Sequence, residues 1–159
     1  LEAIVSSRYS CTPDADALSQ LRNAWSWRLP EHFEVLLVTA FGDVFFEVAG
    51  DGIYWLNTGT ADVELVAADR ATFQAKLNGE EGMDWLLPDL IDELHAEAKV
   101  CGPGECYTYA ILPIFAEGKY ETWNFKPVPV AQHFGLTAHI HRQIEELPDG
   151  AGVKISLDP

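Results

Sequence analysis

The period of the apolar positions changes several times along the chain, and each change predicts an element. Leu18, Leu21 and Trp25 recur at helical spacing after Thr12-Pro13-Asp14. A proline in a first turn and acids near a helix N-terminus both favour a start there. Leu29-Pro30 ends that helix. Phe33, Leu36 and Leu37 again stand three and four apart, which predicts a second short helix over 31–38. From Gly42-Asp43 the pattern shortens. Segments 44–48, 53–57 and 63–66 are rich in aromatic and β-branched residues, and Gly50-Asp51-Gly52 and Thr58-Gly59 supply turns between them. Three strands in a meander are expected.

Helical spacing returns at 69–77, followed by a polar break at 78–82. The longest helix is expected over 84–99, with Leu87, Leu90, Ile91, Leu94 and Ala98 as its apolar stripe. Pro88 fits only a first turn, which allows a start at Leu87 or Pro88. Cys101-Gly102-Pro103-Gly104 ends it. A second strand pair is expected over 106–115 and 120–126, joined at Glu117-Gly118, with Pro113 marking an edge or a bulge. A helix over 130–147 follows, with Leu136, Ile140, Ile144 and Leu147 inward. Gly135 weakens it by about 1 kcal/mol. Pro148-Asp149-Gly150 reads as a turn and 153–157 as a last strand. The sum is an α+β fold: an antiparallel meander and a second hairpin packed with about four to five helices. No linker or repeat interrupts the chain, so one domain over 1–159 is expected.

Composition turns this pattern into a core. Of 159 residues, 48% are hydrophobic, with five Trp and eight Phe. That excludes wholesale disorder and makes a disulfide or metal staple unnecessary. Charge narrows the function. Against 25 Asp and Glu stand 10 Lys and Arg, a formal net charge of −15. Such a surface repels phosphate backbones and attracts basic proteins. No direct nucleic-acid ligand and no membrane partner are expected. No apolar run approaches a bilayer span, and the N-terminal residues lack a signal-peptide pattern. Three cysteines, an odd number, read as reduced thiols in a cytoplasm.

Candidate chemistry is sparse. Cys101-x4-Cys106 lacks the second ligand pair of a structural zinc site, so no metal or other cofactor is expected. His139 and His141 lie on different faces of the expected helix and read as surface residues. There is no Gly-x-Ser-x-Gly elbow, and Gly102-Pro103-Gly104 lacks a phosphate loop's ending. No catalytic residue is assigned. A small enzyme or ligand-binding domain with a cleft near Cys106 and His95 remains the alternative.

The acidic residues are more informative as surfaces. Asp43, Glu47, Asp51, Asp62 and Glu64 gather on the meander, with Tyr54 and Trp55 adjacent in one strand and so on opposite faces. Asp89, Asp92 and Glu93 fall on one side of the long helix. These ten positions are the candidate contacts for a basic protein partner.

The order of the short motifs carries a resemblance. Phe41-Gly42-Asp43-Val44-Phe45-Phe46 precedes Gly52-Ile53-Tyr54-Trp55-Leu56-Asn57-Thr58-Gly59 and a helix around Phe73. Gly102-Pro103-Gly104-Glu105-Cys106-Tyr107, the strand pair, His139-Ile140-His141-Arg142-Gln143-Ile144 and Leu147-Pro148-Asp149-Gly150 follow. Over 29–155 this resembles the C-terminal domain of bacterial type VI secretion immunity proteins, the group paired with DNase effectors. The resemblance implies an inhibitor that binds a cognate toxin in the cytoplasm. It carries over no catalytic signature.

Overall fold

The meander forms where the turn residues place it. In the computed structural model, which describes residues 5–147, the chain runs β1 (Ser10–Cys11), α1 (Ala15–Ala24), β2 (Glu34–Thr39), β3 (Val44–Val48), β4 (Gly52–Leu56) and β5 (Val63–Ala67). It continues through α2 (Arg70–Leu77), α3 (Glu80–Leu86), α4 (Pro88–Ala96), β6 (Glu105–Tyr109), β7 (Phe125–Pro129) and α5 (Val130–Glu145). Strands β1 to β5 make one antiparallel sheet in chain order, and β6 and β7 a separate pair. The α+β architecture expected from the pattern is present. The turn at 148–150 and the strand at 153–157 lie outside the described residues.

Both faces of the sheet are covered. Side chains alternate along strands, so Val44 and Phe46 pack with Leu56 on one face while Phe45 packs with Ile53 on the other. Leu21 and Trp25 of α1 and Phe134 and Ala138 of α5 close the first face. Phe73 and Leu77 of α2 and Trp85 and Leu86 of α3 close the second. A third cluster sets Leu90, Ile91 and Leu94 of α4 against Phe41, Tyr107, Tyr109 and Phe125.

Five expectations are corrected. Segment 31–38 is not a helix: 34–39 is strand β2. The pairing shifts register between Val35 and Leu37. That bulge puts Leu36 and Leu37 on one face and Val35 and Val38 on the other, and a phase slip in a two-residue period imitates helical spacing. Segment 84–99 is two helices. Leu87 turns left-handed at φ 50 between α3 and α4, and Pro88 opens α4. The expected break at 78–82 holds the start of α3, because Gly82 is a contact residue: a Cβ there would sit 1.9 Å from the Leu77 carbonyl oxygen. The second hairpin is shorter and shifted. β6 and β7 pair from Glu105↔Pro129 to Tyr109↔Phe125, and 110–124 wraps around buried Asn124, whose amide bonds Ile111 and Lys119. Pro127 is tolerated opposite Tyr107 because the Tyr107 N–H points away, to the Ala40 carbonyl. Finally, α5 buries Val130, His133, Phe134, Thr137, Ala138 and His141, not the stripe from Leu136 to Leu147.

Ala98 follows α4 at φ 62 and is exposed. A left-handed alanine is strained by about 1–2 kcal/mol, and glycine is at home there. Ala98→Gly is expected to raise stability by about 0.5–1 kcal/mol once the unfolded chain's extra freedom is subtracted, read as a higher urea midpoint at unchanged slope.

Candidate functional site

The ten expected contact residues do not share one surface. Asp51, Asp62 and Glu64 are exposed on the meander. Asp51 accepts the Tyr54 hydroxyl at 2.7 Å, and Asp62 accepts the Thr60 hydroxyl at 2.9 Å. Glu47 is half-buried and held by Arg70 at 2.8 Å, whose guanidinium also reaches Glu34 at 3.0 Å, so part of its charge is already met. Tyr54 and Trp55 do face opposite sides: Tyr54 stacks on Phe46 and Trp55 on Phe45. Asp89, Asp92 and Glu93 are exposed on α4, where Arg8 pairs with Asp92 at 2.7 Å.

Asp43 departs from the surface reading. It is 6% exposed and lies inside the fold. Gly42 makes this possible. It takes φ 79, and a Cβ there would lie 2.3 Å from the His133 ring, so only glycine lets the β2–β3 turn press against α5. The Asp43 carboxylate then accepts the Thr58 N–H at 3.0 Å, the Thr58 hydroxyl at 3.1 Å and the Trp55 indole N–H at 3.2 Å.

The network continues into α5. With the Thr58 hydroxyl donating to Asp43, its oxygen accepts from His133 Nε2 at 2.9 Å, and His133 Nδ1 accepts the Thr108 hydroxyl at 2.8 Å. His141 Nε2 donates to the Thr58 carbonyl at 2.8 Å. Asp43, Thr58, Thr108, His133 and His141 each have at least one hydrogen-bond partner in this network, as burial demands. Burial pushes the Asp43 carboxyl up to about 6, against the lowering effect of its donors. Burial, with His141 nearby, pushes His133 down to about 3. At neutral pH Asp43 is therefore an anion beside neutral imidazoles. The expectation that His141 is a surface residue is corrected: it is 2% exposed. His133 escaped notice altogether. The only signal was spacing, since His133, Thr137 and His141 recur every four residues on one helix face.

Asp43 opens on one side into a cavity of about 190 Å³. Trp55 of β4, Asp84 and Trp85 of α3, Tyr109 of β6 and Tyr120 of the 110–124 segment line it with Asp43. The cavity joins two carboxylates to five aromatic rings, Phe41 being the fifth, and no lysine or arginine lines it.

The alternative cleft is also present, at about 580 Å³, lined by His95, Cys101, Glu105 and Tyr107 among others. Cys106 is not part of it and is fully buried in the core. Burial first, and Glu105 second, push the Cys101 thiol up to about 12 and Cys11 up to about 11. Protonated thiols are poor nucleophiles and poor ligands. Among the described residues no group of three His, Cys, Asp or Glu side chains is placed to hold a metal, and no helix is long and apolar enough to cross a membrane.

No curated protein and no solved structure matches the chain. A family model does: residues 67–141 match the one described as T6SS immunity protein Tdi1, C-terminal. The match begins at the end of β5 and runs through α2, α3, α4, β6, β7 and most of α5. It therefore holds Asp84, Trp85, Tyr109 and Tyr120 of the cavity and His133 of the network. The resemblance read from the short motifs is supported by this match: over residues 67–141 the chain is similar to the C-terminal domain of type VI secretion immunity proteins.

Proposed function

We propose that the protein neutralises a cognate secreted effector of nuclease type by binding it in the producing cell's cytoplasm. The family match over 67–141 carries this reading, and the charge agrees with it. A nuclease must present a basic surface to nucleic acid, and a chain of net charge −15 is attracted to such a surface and competes for it. The exposed acids on the meander and on α4 are the proposed contacts, together with the half-buried Glu47, Tyr54 and Trp55. Asp43 acts from the interior.

The test is co-expression with a candidate effector taken from the genes neighbouring this one. Rescue of growth and a one-to-one complex burying about 1,200–2,000 Å² support the reading. Continued toxicity with no complex overturns it. Steering by charge has its own signature. The Debye length falls from about 10 Å at 0.1 M salt to about 3 Å at 1 M, so the association rate is expected to fall about tenfold or more over that range while dissociation changes less. An association rate indifferent to salt would remove charge from the account.

A further inference from the structure

We propose that the cavity between β4, α3 and the 110–124 segment is a socket for one cationic side chain, an arginine or lysine, of the bound effector. The inference rests on the immunity reading and names where the partner's charge would go.

The first argument is an unmet charge. Asp43 is buried and ionised at neutral pH, and among the described residues no lysine, arginine or histidine forms an ion pair with it. Its Oδ2 accepts one hydrogen bond, from Trp55, and keeps acceptor capacity. A buried carboxylate held only by neutral donors is stabilised further by a cation. The surrounding protein supplies none at this wall.

The second argument is the wall itself. Trp55 and Trp85 stand 6.2 Å apart with their planes at 52°, and Tyr109 meets Tyr120 edge-on at 6.3 Å. Ring faces attract a guanidinium or ammonium group, and the gain grows where water is excluded. Asp84 adds a second carboxylate at the exposed side, and Tyr120, 46% exposed, stands at the mouth. Carboxylates, aromatic faces and no basic lining residue form a chemistry that selects cations.

Size selects the source. A cavity of about 190 Å³ is below the roughly 300–1,000 Å³ that holds a drug-sized molecule. It suits the end of one side chain projecting from a larger surface. Arginine is also a common interface anchor, and such anchors sit in desolvated pockets. The charge of the whole chain directs a basic protein here before any contact forms.

The test has two arms. In the first, the ¹⁵N-labelled protein is titrated with N-acetyl-arginine N-methylamide, with the neutral citrulline analogue and with tetramethylammonium. Saturable shifts of the Trp55 and Trp85 indole N–H signals and the Thr58 amide are expected with the arginine derivative and not with citrulline. Equal response to both, or none, overturns the socket. Tighter binding of tetramethylammonium overturns it too, in favour of a free quaternary amine. In the second arm, the effector's affinity is measured for Asp84→Asn and Tyr120→Ala, both partly exposed positions, with Glu31→Gln as a distant control. A loss of about 30-fold or more is expected for each socket variant, the scale of an interface anchor, and less than about threefold for the control. An effector that binds the natural chain and the socket variants equally well overturns the socket and leaves the immunity reading standing. An effector that binds neither overturns the immunity reading, and the arginine titration then decides the socket by itself.

Discussion

Phe45→Ala is expected to lower the free energy of unfolding by about 3–5 kcal/mol, the range for a fully buried phenylalanine cut to a methyl group. Phe45 is wholly inaccessible. Its ring lies 5.1 Å from Phe73, 5.0 Å from Trp85 and 6.0 Å from Trp55. It thus joins the sheet to α2 and α3 at once, and the space it leaves cannot collapse without moving two helices. Natural domains hold only about 5–15 kcal/mol in total, so the variant should sit near the edge of folding. The cavity should fail with it, because Trp55 and Trp85 lose the ring between them. Leu65→Ala on β5 is the control. Leu65 is 57% exposed and should cost less than about 1 kcal/mol. Urea unfolding at pH 7 measures both, and similar losses for the two would mean that the four-ring cluster does not organise this side of the sheet.

The second large effect is on the pH dependence of stability. His133 titrates near 3 in the folded protein, against about 6.5 in an unfolded chain. Its contribution is complete above 6.5 and is lost as pH falls toward 3, at about 1.4 kcal/mol per pH unit. Asp43 has the opposite sign. Its folded value near 6 lies above the ordinary 3.8, so its contribution is present below 3.8 and is lost as pH rises through 6. Between about pH 4 and 6 these slopes cancel, because the folded protein takes up a proton from solvent at Asp43 where the unfolded chain takes one up at His133. Asp43→Asn removes one slope and leaves the other. The variant should lose about 3 kcal/mol relative to the natural protein as pH is lowered from 6 to 4. The other carboxylates act alike in both chains and drop out of the comparison. Denaturation at pH 4, 5 and 6 gives the difference directly, and parallel profiles would show that the Asp43 proton does not offset that of His133.

Much of the architecture was readable from local pattern. Strands β3, β4 and β5 stand where glycine turns and alternating aromatics placed them, and α1 and α2 begin at Asp14 and Asp69, whose side chains cap them. These signals are local: a cap or turn is chosen by residues within one or two turns of chain. Strand β2 misled because a bulge hides the alternation. The 110–124 segment misled because its shape depends on Asn124 bonding carbonyls at positions 111 and 119, and no propensity scale records such a partner.

The candidate site divides in the same way. That the chain is strongly anionic, and that it resembles type VI immunity proteins, follows from composition and motif order, which folding does not alter. Which acids reach solvent is another matter. Asp43 and Asp51 look alike in sequence, yet one is buried under α5 and the other is exposed. Trp55 and Thr58 bring Asp43 its donors from the meander itself, but Thr58 and His133, 75 residues apart, must meet before α5 closes the network. A carboxylate's burial, and therefore its charge and its appetite for a cation, depends on what closes over it, and only long-range packing decides that.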